Sequence, residues 1–335
     1  MKIALDAMGG DYAPSEIVKG AIEALPEIKS TIVLVGNKTL IDKELNKYKF
    51  DNHRIEIVHA EQVIEMHEHP AFAVKEKEDS SIVKSIKLIK EEKVDGVVSA
   101  GNTGAVMSSA LLYLGRLKGI KRPAITTVLP TINNTPTIML DIGANVDCKK
   151  EYLVQFALMG KIYMESIFGI ENPKIALLNI GEEEGKGNQL AQETYSLLKN
   201  NPYFNFYGNV EGKDLFKGIV NIIICDGFVG NIAIKTAEGV AETLFELISK
   251  ELKNSWWSII LALLLKPKFR NVKKSMDYSE FGGAPLLGIN GNVIISHGRS
   301  KSKAIKNALK LAERVINLKI NDKIMEGLEK LSIEG

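Results

Sequence analysis

Short apolar runs punctuate this chain at 2–5, 31–35, 54–58, 94–99, 124–129, 137–140, 175–178, 204–207 and 220–225. Each is short enough to be a buried strand. Between most of them lie longer stretches with helical spacing, at 14–25, 39–47, 82–92, 106–114, 151–168, 189–198 and 232–252. Pro14 suits the first turn of its helix. A hairpin-like pair around Asn290 and Gly291 follows, and two helices close the chain. Strand–helix alternation of this kind predicts an α/β fold with a mostly parallel sheet covered on both faces. The irregular spacing and the late hairpin favour a doubly wound, three-layer α/β/α arrangement over a barrel. We read one domain, 1–335, with a helical segment at 240–276 protruding from it.

Where the strands end, the sequence turns polar and glycine-bearing. These turns are Asp6-Ala7-Met8-Gly9-Gly10-Asp11, Ala100-Gly101-Asn102-Thr103-Gly104-Ala105, Asp141-Ile142-Gly143-Ala144-Asn145, Asp226-Gly227-Phe228-Val229-Gly230-Asn231 and Ser296-His297-Gly298-Arg299-Ser300. Open α/β sheets bind ligands beyond the carboxyl ends of their strands, and helix starts attract anions. The longest turn runs from Asn179 to Asn188 and sets Lys186 between Gly185 and Gly187. It is not a Walker A loop, because only three residues separate Gly181 from Gly185 and Gly187 stands where Ser or Thr belongs. A solvated acidic turn with a surface lysine is the alternative. The 6–11 turn lacks the dinucleotide fingerprint. Asn231 is expected at a helix start, with Lys235 one turn on and on the same face.

Together the turns offer backbone N–H groups, Asn and Ser side chains, Lys186, Lys235, His297 and Arg299. This set suits holding an oxyanion rather than forming a covalent intermediate. A Cys225–His297 pair would supply a nucleophile, but the apolar neighbours of Cys225 favour an inert buried thiol. His67 and His69 are two apart and cannot share a helix face, and no Cys–His ligand spacing appears, so no metal and no cofactor are expected.

Composition changes this picture little. Apolar content of 45% and charged content of 25% are those of a soluble globular chain of 335 residues. A net charge of +2 gives no general case for nucleic acid. Two cysteines make no disulfide framework and suit a reducing cytoplasm. The N-terminus lacks the pattern of a signal peptide.

One stretch stands apart. Residues 255–265 read Ser-Trp-Trp-Ser-Ile-Ile-Leu-Ala-Leu-Leu-Leu, and Lys266, Lys268, Arg270, Lys273 and Lys274 follow. The run is shorter than the roughly 20 residues a membrane span needs. Tryptophans at one end and cations at the other suit an interfacial helix, with Trp256, Trp257, Ile260, Leu263 and Leu264 meeting lipid. A buried helix or a dimer contact is the alternative.

The motifs at 6–14, 68–73, 99–105, 141–149, 179–188, 209–213, 226–239, 282–288 and 296–302 occur in order across almost the whole chain. As a series they resemble the phosphate acyltransferases of bacterial phospholipid synthesis (acyl-[acyl-carrier-protein]:phosphate acyltransferases). The resemblance implies transfer of a fatty acyl group from acyl-acyl carrier protein to inorganic phosphate. The acyl phosphate would pass to a membrane glycerol-3-phosphate acyltransferase for phosphatidic acid synthesis. It also implies an isopropylmalate-dehydrogenase-like fold related to phosphate acetyltransferases, and a cytoplasmic homodimer held peripherally at the inner face of the cell membrane. On this reading Lys186, His297 and Asn231 are catalytic. Ser99, Gly101, Asn102, Thr103, Gly104, Asn179, Gly185, Gly187, Gly230, Lys235, Gly283 and Ser296 bind substrate. Lys186 would take the phosphate or the developing charge, oriented by Glu182, Glu183 or Glu184. The turns at 99–104 and 230–231 would supply N–H donors, and His297 would bind phosphate or protonate the leaving thiolate. The rivals are a phosphate acetyltransferase acting on acetyl-CoA, a non-catalytic acyl carrier, and an NAD-dependent β-decarboxylating dehydrogenase. For the last, no paired-aspartate metal site is identified.

Overall fold

The apolar runs pair as strands in a computed structural model that describes residues 1–253, 257, 264–269, 272 and 282–334. Trp256, Ile260, Leu263, Arg270, Lys273 and Lys274 lie outside the described residues. In chain order the first elements are β1 (Lys2–Asp6), α1 (Ser15–Ala24), β2 (Thr31–Gly36), α2 (Lys38–Leu45), β3 (Ile55–His59), α3 (Pro70–Glu76), α4 (Ser81–Lys90), β4 (Gly96–Ser99) and α5 (Thr103–Tyr113). The middle holds β5 (Ala124–Ile125), β6 (Thr127–Leu129), β7 (Thr137–Leu140), α6 (Lys150–Tyr163), β8 (Lys174–Leu178), α7 (Gln189–Lys199), β9 (Asn205–Val210), β10 (Ile222–Ile224) and α8 (Gly227–Lys253). Then come β11 (Ala284–Leu287), β12 (Val293–Ile295), α9 (Ser302–Asn317) and α10 (Ile320–Glu334).

These strands form two sheets rather than one. The first has the order β3-β2-β1-β4-β12-β11-β5, parallel from β3 to β12, with β11 and β5 antiparallel to their neighbours. The second has the order β6-β7-β10-β8-β9, parallel except for β6. The apolar run at 124–129 joins them: Thr126 interrupts it, so that β5 closes one sheet and β6 opens the other.

Alternation along the strands shows why both faces are covered. Ile3, Leu5, Ile32 and Leu34 enter one core, whereas Ala4, Val33 and Val35 enter the core beneath α3, α4 and α5. In the second sheet Ile138, Leu140, Ile222 and Ile224 join the first of these cores, and Met139 and Ile223 face the side of α8. One apolar layer thus runs under both sheets, and the strands read as continuous apolar runs because both sides are buried.

Several boundaries differ from the sequence reading. Between the runs at 54–58 and 82–92, where the sequence reading names no helix, lies α3, whose Pro70 stands at its first turn. The predicted helix at 151–168 is α-helical to Tyr163, then makes a π turn that Gly169 ends at φ 68°. The turn expected at 226–231 is mostly helix. Asp226 Oδ1 accepts the Val229 N–H at 2.8 Å, so α8 starts at Gly227 rather than at Ile232.

Candidate active site

The turn after β1 is built on a buried carboxylate. Asp6 accepts the Ser99 hydroxyl at 2.6 Å and the Met8 N–H at 3.2 Å. Burial nevertheless pushes its pKa up, with those bonds as a partial offset. Ser99 Oγ also accepts the Gly101 N–H at 3.1 Å. The backbones here are too close for side chains: a Cβ on Gly9 would lie 2.6 Å from Gly101 N, and one on Gly10 would lie 2.9 Å from the Gly298 carbonyl oxygen. Gly10 also has φ 96°, which a side chain disfavours. The Asp11 N–H donates to Gly298 O at 2.8 Å. Three turns, after β1, β4 and β12, therefore meet beyond the carboxyl ends of the first sheet, where the strand order reverses.

The facing wall comes from the second sheet. Asp141, at the end of β7, accepts the N–H groups of Ile125, Gly143 and Ala144 on Oδ1, and Asn145 N and Nδ2 on Oδ2. Burial raises its pKa too, against these donors. Raising a carboxyl pKa in the folded state means that stability falls as pH rises from the unfolded value of 3.8 to the folded one, and is flat above both. Relief of that cost would favour Asp141→Asn, but an amide puts an NH2 group among five donors. The lost acceptor decides: we expect Asp141→Asn to destabilise the fold by about 1–3 kcal/mol in urea unfolding. An unchanged midpoint would contradict this account of the turn.

Gly230 of α8 packs on the Asp141 carbonyl, and Asn231 lies against Gly143. One turn further, Lys235 Nζ stands 3.5 Å from His297 Nε2 and 2.8 Å from Glu238 Oε2. His297 Nδ1 accepts the Arg299 N–H at 3.1 Å. That bond assigns the proton of the neutral ring to Nε2. Burial, then the Lys235 charge, lowers the His297 pKa below 6.5. The ring is thus a neutral donor beside an ammonium. Because the folded pKa is lowered, His297 costs stability as pH falls from 6.5 through the folded value. Lys235→Gln should raise the His297 pKa toward 6.5 in an NMR titration; an unmoved pKa would remove Lys235 as a cause.

Other expected site residues have different work. Asn102 caps α5 through the Ala105 N–H at 3.0 Å, and its Nδ2 holds the carbonyls of Glu65, Met66 and Glu68. Gly104 lets Pro70 approach, and Thr103 is exposed in the first turn of α5. Within the 99–104 turn the Gly101 N–H is therefore already used, and the Gly230 N–H donates to Asp226 O at 3.0 Å inside α8. Of the turns expected to supply donors, these two N–H groups are thus already paired within the protein. Gly283 has φ 99° and sits against Ile295 O, and Ser296 is buried beside it.

The 179–188 loop is closed by Asn179, whose Nδ2 donates to Lys186 O at 3.0 Å, and by Gly187 at φ 93°, where a Cβ would strike Asn179. Gly185 and Lys186 are exposed. Two of the three glutamates pair elsewhere, Glu182 with Lys213 at 3.7 Å and Glu184 with Lys199 at 2.6 Å, so neither orients Lys186. Asn179, Gly187 and Asn188 border a cavity of about 490 Å³ against Val229, Ile232 and Ala233 of α8. His297 meets the Lys235 face of the same helix. The cavity beside the 179–188 loop and His297 thus meet different faces of α8. Cys225 donates to Asp141 O at 3.3 Å, and burial pushes its thiol well up. It does not pair with His297. Cys148 is pushed up to about 12, mainly by burial. Among the described residues no three His, Cys, Asp or Glu side chains are grouped to hold a metal ion.

Sequence reasoning missed Glu238, which anchors Lys235, and it placed Asp6, Gly9 and Gly10 in a motif without assigning them to the site. The glycine pair was the available signal.

Two mostly parallel sheets with glycine turns at their strand ends, and Lys235 beside His297, define an α/β/α protein. Solved structures of the same fold include a phosphotransacetylase from Streptococcus pyogenes, at TM-score 0.64 and 19% identity over 95% of this chain and 94% of that one. A branched-chain phosphotransacylase from Enterococcus faecalis gives TM-score 0.59 and 14% identity over 94% and 99%. Residues 1–323 match the family model described as fatty acid synthesis protein. A phosphate acyltransferase of Dictyoglomus thermophilum is 77% identical over the full length of both chains. That of Clostridium acetobutylicum is 50% identical over 99% of this chain and 100% of its own. The chain belongs to the fatty acid synthesis protein family.

Proposed function

We propose that this protein is an acyltransferase that moves a fatty acyl group from a thioester to inorganic phosphate, and that the thioester is carried by acyl carrier protein. Full-length identity to phosphate acyltransferases supports the reaction. One observation carries the site: the Lys235 ammonium and the neutral His297 ring stand 3.5 Å apart as two donors. An anionic oxygen that accepts from both would fit this pair.

Phosphate is itself the nucleophile, so no activated Ser or Cys is needed. A phosphate oxygen attacks the thioester carbonyl carbon, the C–O bond forms, and collapse of the tetrahedral intermediate breaks the C–S bond. The proton of hydrogen phosphate goes to the leaving sulfur, giving acyl phosphate and free thiol. Lys235 holds the dianion and His297 Nε2–H donates to the developing oxyanion. A neutral ring with a lowered pKa is suited to this role and poorly suited to protonating the thiolate. Asn231, on the same side of α8, would orient the phosphate.

The donor is tested by mixing the purified protein with palmitoyl-acyl carrier protein and following free carrier. Release should require phosphate and should exceed that from palmitoyl-CoA. Acyl binding without phosphate-dependent release would favour the carrier reading, and turnover of acetyl-CoA alone would favour an acetyltransferase.

A peripheral membrane position and a homodimer belong to the same proposal. No helix among the described residues is long and apolar enough to cross a membrane. Trp257 and Leu264 are 60% and 73% exposed, and Leu247 and Ile248 of α8 are exposed before them. These support an apolar tip for lipid and a helix face for a second copy. Trp257→Glu with Leu264→Glu should abolish flotation with anionic vesicles. Unchanged flotation would remove this segment from membrane contact.

A further inference from the structure

Lys235, Glu238 and Glu242 follow one another at spacings of three and four residues on α8, so they form one row along the helix. The row meets the 296–300 turn. Lys235 Nζ lies 3.5 Å from His297 Nε2, and Glu242 Oε1 lies 3.8 Å from Arg299 Nη1. Within the row, Glu238 Oε2 accepts from Lys235 Nζ at 2.8 Å. Lys235 cannot donate to the neutral His297 ring, because the Nδ1 bond leaves the ring proton on Nε2. Glu238 is the acceptor it uses instead. The Glu238 side chain is 33% exposed, against 72% for Glu242, so the Glu238 charge is the less screened of the two. Thus α8 sets its own carboxylates beside the two cations, Lys235 and Arg299, that flank His297.

We propose that Glu238 competes with phosphate for Lys235: its carboxylate occupies the ammonium in the empty site, and a phosphate oxygen takes that place on binding. The proposal rests on the acyl-transfer reading of the Lys235–His297 pair and adds what sets the phosphate affinity. Glu238 acts through Lys235, so it is a positioning residue rather than a catalytic one. Its two effects oppose each other. It holds a flexible ammonium beside His297, and it repels the dianion that arrives there. A pair three residues apart on a helix surface gives about twofold in position. One negative charge about 5 Å from a dianion weakens its binding about fourfold at physiological salt, even in a water-like dielectric. Repulsion is therefore the larger effect. Glu242 acts on Arg299 in the same way and more weakly, from a longer distance and a wetter position.

The test is kcat and KM for inorganic phosphate with palmitoyl-acyl carrier protein as donor, in the wild type, Glu238→Gln, Glu238→Ala and Glu242→Gln. The His297 pKa is followed by NMR titration in each. Glutamine keeps an acceptor for Lys235 and drops the charge, so Glu238→Gln isolates the repulsion. It should lower the phosphate KM about fourfold, with a smaller change in kcat. Glu238→Ala should lower KM less, since Lys235 then loses its acceptor, and Glu242→Gln less again. In about 1 M potassium chloride the difference between wild type and Glu238→Gln should close. Glu238 raises the His297 pKa while Lys235 and Arg299 lower it, and Asp11 is the other carboxylate that raises it. That pKa should therefore fall further in Glu238→Gln. An unchanged or raised phosphate KM in Glu238→Gln would overturn the proposal. So would a loss confined to kcat, which would make Glu238 a holder of Lys235 alone. Absence of phosphate-dependent turnover in the wild type would instead overturn the acyl-transfer reading, and the proposal with it.

Discussion

Replacing His297 with asparagine should lower phosphate-dependent turnover about 100- to 1,000-fold, the usual loss when one oxyanion donor is removed. Asparagine is the informative choice. Its side-chain oxygen can still accept the Arg299 N–H that His297 Nδ1 accepts at 3.1 Å, so the 296–300 turn keeps its shape. What is lost is the Nε2–H facing Lys235. The drop should fall on kcat with little change in KM for the acyl donor, because the donated bond strengthens as charge develops. An intact melting profile would show that the loss is chemical. A variant within fivefold of wild type would take His297 out of the reaction.

The second large effect is structural. A Cβ at Gly230 would overlap the Asp141 carbonyl oxygen and lie 2.9 Å from Cys225 Sγ. Neither is the loose end of a flexible side chain. Gly230→Ala must push α8 off the second sheet, at a cost of about 3 kcal/mol or more. Activity should fall with stability, since Asn231 and Lys235 travel with the helix. Gly239 in the same helix is the control, for a Cβ there meets nothing within 4 Å. Gly239→Ala should stabilise the protein by up to about 1 kcal/mol, as alanine does in a helix. Equal melting temperatures for the two variants would contradict the packing described.

Strands and their glycine turns were legible because both sheet faces are buried, so each strand is an apolar block with a sharp polar end. The division into two sheets was not. It depends on Thr126, a single residue inside one apolar run, and no periodicity announces it. The start of α8 was misplaced because Gly227 and Gly230 look like loop residues. They are glycines for another reason, the close approach of Asn145, Asp141 and Cys225 to the helix backbone. Asp226 was the cap and gave the boundary in principle. His297, Asn231 and Lys235 were named from the turns alone, and the fold sets His297 beside Lys235. The turns name Lys186 as well, and its loop borders a cavity on another face of α8 from His297. Sequence order cannot tell which flank of a helix a distant loop will meet.

The central claim is that phosphate itself receives the acyl group. Palmitoyl-acyl carrier protein would be mixed with enzyme and phosphate, and the product trapped with hydroxylamine. Our account predicts palmitoyl hydroxamate in proportion to released carrier, requiring phosphate and reduced with the His297→Asn variant. Carrier released in phosphate buffer with free palmitate and no trappable acyl phosphate would contradict it, because water would then be the acceptor.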